Sequence, residues 1–366
     1  MTSDDPRWAR LADHIASRLE IAPQSRVSIF VNDVSAAPAA HALIRAATRI
    51  GAAVQTVYTA EFADADALAS RTVDELAEPA PVEVAAMEWS TVHVSLRAML
   101  WPDSDADADP DLPAKLAAQR TAKGVVSSLR WRGTRWAVVR VPTAEWAAQI
   151  DVPFSALLDE FFAGALENWD AHRRTWQPLA DAVTAADTIT VTSPDTHLTL
   201  RVAGRLGVLF AGEANLPDGE VATAPLDDGV NGHITFPGTF VFAGHAFEDL
   251  RLEFTDGLVT AVDAVRGADV ARALIATDAG SARVGELGIG TSSVVQTWTG
   301  DLFLDEKILG TVHIALGRAY AECKGTNDSS LHWDIVKDLR PGVPGGAGTL
   351  AIDGRPVIVD GELIGF

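Results

Sequence analysis

One cysteine, Cys323, stands in 366 residues, so no intrachain disulfide can form, a usage that fits a reducing compartment. Basic residues are scarce as well. The 29 Lys and Arg face 50 Asp and Glu, leaving a formal charge of -21. Nucleic-acid binding needs a basic footprint that this chain lacks, and an anionic membrane surface would repel it. Excess negative charge keeps a protein soluble and can draw cations or amines to a cleft, although a solvated acidic surface is the plainer reading. No apolar run nears the roughly 20 residues that span a bilayer. The opening MTSDDPRWARLADHI is acidic and amphipathic, with no basic region leading into an apolar stretch, so no signal peptide is read. A cytoplasmic protein without nucleic-acid or membrane partners is expected.

Two tempting loops lack what their chemistry would need. The acidic run at 103–110, DSDADADP, has neither the central Gly nor the terminal Glu of an EF-hand and reads as a solvated loop. The Gly-rich PGVPGGAGT at 341–349 has no phosphate-loop Lys and reads as a hairpin turn. No internal repeat stands out.

What is present suffices for two domains with substantial cores: 48% of residues are apolar and ten are Trp. Trp8, Leu11, Ala12, Ile15 and Leu19 recur at helical spacing after a capping Asp4-Asp5-Pro6. Strands are read at 26–31 (RVSIFV), 53–58 (AVQTVY), 91–99 and 136–141 (WAVVRV). Helices are read to about Ile50, then over 64–76, 112–123 and 155–186. This alternation predicts an α/β domain with a parallel sheet over residues 1–185. After Asp187 short strands and Gly/Asp/Pro turns dominate, interrupted by a helix at 268–277. They predict a β-rich α+β domain over 186–366, and nearly all the candidate metal ligands fall within it.

That domain holds nearly all the chemistry. The stretch 285–337 contains Glu286, His313, Tyr320, His332 and Asp334, five groups able to bind or serve a metal ion. In Leu331-His332-Trp333-Asp334-Ile335 apolar and polar residues alternate at the strand period, so His332 and Asp334 share one face. A second patch, 215–225 (NLPDGEVATAP), presents Glu220 after a Pro-Asp-Gly turn. Read alone, Glu220 is a surface residue beside a turn.

Together these segments resemble the thermophilic family of metal-dependent aminopeptidases, the aminopeptidase T type. NLPDGEVATAP, GELGIG, DEKILGTVHIALGRAY and LHWDIVKDL occur in the family's order, strongly over about 185–340 and weakly before it. The resemblance implies a two-metal site of Glu220, Glu286, His313, Tyr320, His332 and Asp334. Such donors suit two divalent ions of zinc, cobalt or manganese. It also implies a hydrolase acting on short peptides or a small amide, with Glu286 as base and Tyr320 as second-metal ligand or oxyanion donor. A homodimer enclosing the site is implied too. Two features depart from the family: a shorter N-terminal half, and Ala222 where Phe usually follows GEV. Both bear on the pocket wall. The alternative reading uses only His313, His332 and Asp334, the two-His, one-carboxylate set of a mononuclear iron(II) ring-cleaving dioxygenase of the dihydroxypyridine type. His14, His41, His93 and His172 read as surface or packing residues. His197, His233 and His245 could border the site, and Asp305-Glu306-Lys307 reads as support for the ligands.

Overall fold

The computed structural model describes residues 5–102 and 111–365. The acidic run at 103–110 therefore lies outside the described residues. The chain forms two compact units, the first of residues 5–102, 118–167 and 212–218, the second of 111–117, 168–211 and 219–365. The change of texture falls at Thr188, where strands take over, while compactness groups the preceding helix Trp169–Ala185 with them.

The first unit is built on a parallel sheet in the order Ala53–Tyr58, Arg26–Val31, Val92–Ala98, Arg135–Val141, Asn215–Leu216. Val27 to Val31 are all buried, as a central strand of a parallel sheet covered on both faces requires. Helix Arg7–Arg18 buries Trp8, Leu11, Ala12 and Ile15, the stripe read from its spacing. The single helix expected over 64–76 is two, Asp64–Ser70 and Val73–Ala77. Thr72 starts the second with a capping box: its Oγ1 accepts from Glu75 N while its own N donates to Glu75 Oε2. The helix expected over 155–186 is likewise two, Phe154–Ala165 and Trp169–Ala185, because Asn168 caps the latter by accepting from Ala171 N at 3.1 Å. Buried His93 lies between the Ser28 and Ser95 hydroxyls, a packing role as expected.

The second unit holds two antiparallel sheets, one of eight strands and one of five. Hairpins of the larger sheet turn at Asp256-Gly257 and Asp353-Gly354, both pairs at positive φ, the Asp-Gly preference of tight hairpins. The segment 341–349 is not the hairpin expected of it. It leads from strand His332–Asp338 of the five-stranded sheet to Thr349–Ile352 of the other. Glycines serve a crossing between sheets as readily as a turn.

The smaller sheet runs His332–Asp338, Thr311–Gly317, Val284–Gly290, Glu220–Thr223, Val208–Phe210. Its back is anchored by Trp333, fully buried, stacked on Phe242 at 5.2 Å between ring centres and tilted against Phe247 at 5.0 Å, both of the larger sheet. Burying Trp333 and Ile335 on that side turns His332 and Asp334 to the other.

Candidate metal centre

The register of the small sheet gathers the candidate residues on one face. Residues directly opposite each other in an antiparallel pair point the same way. Asp334 faces Ala315 and His332 faces Gly317, so His313, two residues before Ala315, shares their side. His313 faces Gly288, and Glu286 faces Ala315. Glu220 faces Gly290 and Ala222 faces Gly288. Five ligand-type side chains thus rise from a floor of Gly288, Gly290, Ala315, Gly317 and Ala222.

The floor must be small. A Cβ built on Gly288 would lie 2.0 Å from His313 Cε1 and 2.2 Å from its Nε2, so the imidazole rests directly across this glycine. Gly288→Ala is therefore expected to push His313 off its station and to lower metal-dependent activity by about 10–100-fold, the usual cost of disturbing a ligand's support. Paired metal titrations and turnover of the variant and the parent check this.

Three overlapping groups bring their donor atoms within 4.8 Å of one another: Glu220, Glu286 and His313; Glu286, His332 and Asp334; and Glu306, His313 and Asp334. Glu286, 2% exposed, belongs to the first two. His313 Nε2 stands 3.4 Å from Glu286 Oε1 and 3.6 Å from Glu220 Oε2. His332 Nε2 stands 3.3 Å from Asp334 Oδ1 and 3.7 Å from Glu286 Oε2. His332 Nδ1 donates to the Arg318 carbonyl at 2.9 Å, which leaves Nε2 as the nitrogen facing the carboxylates.

The His313 Nε2–Glu286 Oε1 contact is a long hydrogen bond, and it leaves other atoms of the cluster unsatisfied. His332 Nε2, Asp334 Oδ1 and Glu286 Oε2 are buried without a hydrogen-bond partner. Buried polar atoms are nearly always satisfied, so several orphans converging on one spot mark a place where something else completes them. Carboxylate oxygens and imidazole nitrogens are what a divalent zinc, cobalt or manganese ion takes, and the residues fit such ions.

Without an ion the groups hold one another's charge. Burial works against protonated His332, yet Asp334 and Glu286 outweigh it and raise its pKa to about 10. At His313 burial is likewise outweighed, by Glu286, Glu306, Glu220 and Asp334, and the pKa rises to about 9. Burial pushes Asp334 up, but the His332 charge prevails and holds its carboxyl below the usual range. Burial raises Glu286.

Tyr320 follows the His313 strand and is half-buried, its ring 5.0 Å from the His332 ring and 5.5 Å from Phe210. It packs against the buried cluster of Ala222, Ala224 and Cys323, which includes the position where the family's Phe would stand. Burial, then the charges of Glu286 and Asp334, raise its phenol pKa well above normal. His197, His233 and His245 belong to none of the three groups among the described residues; His197 and His233 face each other across the larger sheet. His172 is buried and bonds Thr291 Oγ1 at 2.9 Å, beside the Gly219 turn that leads into Glu220.

Two residues of the cluster exceed what the motifs single out. Glu306, expected to support ligands, has its own carboxylate within the third group. Lys307, fully buried, bridges Glu220 and Glu306. The DEK run before the His313 strand was the only signal for either.

A buried carboxylate–imidazole cluster in a mixed α/β protein with several sheets is the build of a metalloenzyme. The chain belongs to the thermophilic metalloprotease family M29, whose model matches residues 5–362. Relatives include aminopeptidase 2 of Geobacillus stearothermophilus, 25% identical over 322 residues that cover 75% of this chain and 74% of that one. Aminopeptidase T of Thermus aquaticus is 26% identical over 264 residues, covering 60% and 64%. Among solved structures, wild-type AmpT from Thermus thermophilus matches with a TM-score of 0.73 at 21% identity, covering 98% of this chain and 99% of its own. A 2,5-dihydroxypyridine dioxygenase from Pseudomonas putida KT2440 matches with a TM-score of 0.57 at 16% identity, covering 98% and 97%. At those identities the two structures bear on the fold alone. The family read from the four motifs is the family found.

Proposed function

We propose that the protein is a metal-dependent aminopeptidase that hydrolyses the N-terminal peptide bond of short peptides, or a related small amide, at a two-ion centre. The observation that carries this reading is Glu286, one carboxylate shared by two adjoining donor groups. Glu220, Glu286 and His313 would hold one ion and Glu286, His332 and Asp334 the other, with Tyr320 beside them. Held there, divalent ions would lower the pKa of a water and polarise the scissile carbonyl. Glu286 takes the proton of the attacking water and passes it to the leaving amine. Tyr320, whose raised pKa keeps its proton at neutral pH, donates to the developing oxyanion. The Gly and Ala floor gives the ligand side chains the room they occupy, the His313 ring lying directly across Gly288. The strand-rich domain at 186–366 carries the site, and a cytoplasmic homodimer with an enclosed site accompanies this reading.

The test is hydrolysis of an aminoacyl anilide by the metal-loaded protein. Release of the aniline supports a peptidase, and no release with zinc, cobalt or manganese contradicts it. A second reading draws on His313, His332 and Asp334 and on the structural likeness to the dioxygenase: one iron and ring cleavage of a dihydroxypyridine. Glu220 and Glu286, two buried carboxylates beyond that triad, favour the hydrolase. One iron per chain with oxygen uptake would reverse the preference.

A further inference from the structure

We infer that Lys307 is a positioning residue for one half of the centre: its ammonium ties Glu220 to Glu306 and holds Glu220 as a ligand. The inference rests on the two-ion reading above. Lys307 Nζ lies 2.9 Å from Glu220 Oε2 and 2.7 Å from Glu306 Oε1. The same Glu220 oxygen faces His313 Nε2 at 3.6 Å, so Lys307 holds the atom that completes the Glu220–Glu286–His313 group.

Its surroundings leave Lys307 little freedom. The side chain is fully buried, and its ammonium lies 5.7 Å from the centre of the Phe303 ring. Its backbone N donates to Leu304 O at 3.1 Å, and its carbonyl accepts from Ser292 N at 2.8 Å, just beyond the end of the Glu286 strand. The preceding Asp305 fastens the loop: Oδ1 accepts from Thr299 N and Oγ1, and Oδ2 accepts from Gly300 N. Asp305, Glu306 and Lys307 thus divide three tasks, anchoring the loop, lining the cluster and bridging two carboxylates.

The physical reason is charge. Glu220 and Glu306 are each 4% exposed and each place an oxygen within 3 Å of one point. Two carboxylates so close and so poorly hydrated repel strongly. A cation fixed between them keeps both in place whether or not ions are bound. Without it Glu220 would turn away, and the ion held by Glu220, Glu286 and His313 would suffer most. The Glu286–His332–Asp334 group has its own brace in the Arg318 carbonyl.

Lys307→Met keeps an unbranched side chain, one heavy atom shorter, and removes the charge. Titration with cobalt(II), followed by metal counting and by the visible absorption of each bound ion, should show two ions in the parent protein. In Lys307→Met the first ion should remain, and the second should bind about 10–100-fold more weakly, the usual penalty for losing a ligand's outer support. Lys307→Arg, which restores the cation, should recover the second ion and its absorption band. Two ions bound by Lys307→Met with parental affinities overturn the assignment and leave the two-ion reading standing. Fewer than two ions in the parent overturn that reading and this role with it. Should Lys307→Met fail to fold, Lys307→Arg carries the test, and a folded Arg variant with a single ion overturns the proposal.

Discussion

Glu286→Gln is expected to leave the protein folded and to lower hydrolysis of an aminoacyl anilide by about 10²–10⁴-fold, the span a positioned general base contributes. The substitution is nearly isosteric, which matters because Glu286 is buried in the middle of a strand whose seven residues are all buried. It exchanges a carboxylate shared by two donor groups for a neutral amide that can neither take a proton nor bridge two cations. Two losses are therefore combined, and metal concentration separates them. A defect that persists with saturating zinc, cobalt or manganese is the loss of the base. A defect that disappears at saturation marks Glu286 as a ligand alone. Unchanged turnover removes it from the mechanism altogether. Circular dichroism and the thermal midpoint check that the fold is retained.

Removing the metal is expected to have the other large effect. Dialysis against a chelator should abolish turnover, and zinc, cobalt or manganese should restore it. The thermal midpoint should fall with the ions, because each ion bound at about 1,000 times its dissociation constant stabilises the folded chain by about 4 kcal/mol. The pH dependence follows from the neighbouring charges. In the metal-free protein the surrounding carboxylates push His313 up to about 9 and His332 up to about 10, so both carry a proton at neutral pH. An imidazole must lose that proton to ligate, so each ion competes with it. Apparent affinity should therefore rise with pH, about tenfold per unit for each proton displaced, and level off as the pH passes about 9–10. Calorimetry in buffers of different ionisation enthalpy counts the protons released. An affinity that is flat from pH 6 to 9, with no protons released, would contradict the convergence of imidazoles and carboxylates described above.

Two kinds of signal made the site legible in the sequence: local periodicity and the order of the motifs. Alternation in Leu331-His332-Trp333-Asp334-Ile335 placed His332 and Asp334 together, and the structure keeps them on one face because Trp333 is needed in the core. Ordered motifs brought in Glu220, Glu286 and His313, which no local rule connects, and all three meet across neighbouring strands. What the sequence did not reveal depends on register between distant segments. Glu306 and Lys307 resembled support for the ligands because their approach is set by the Leu304 and Ser292 contacts, not by strand period. The floor glycines carried no role in the sequence reading; the closeness of Gly288 to the His313 ring gives its size a reason. In the first unit the parallel sheet was readable from its apolar runs, but helix Pro81–Trp89 was not. It buries only Met87 and so presents no apolar stripe to read. The break at Thr72 is written in its Thr-x-x-Glu capping signature, which the reading of one helix over 64–76 passed over.

The most direct test of the centre is an anomalous-difference map from crystals of zinc-loaded protein, with the ions also counted in solution. Two peaks are expected within coordination distance of Glu286, one also reached by Glu220 and His313 and the other by His332 and Asp334. A single peak enclosed by His313, His332 and Asp334, or none on this face of the sheet, would contradict a shared-carboxylate, two-ion site.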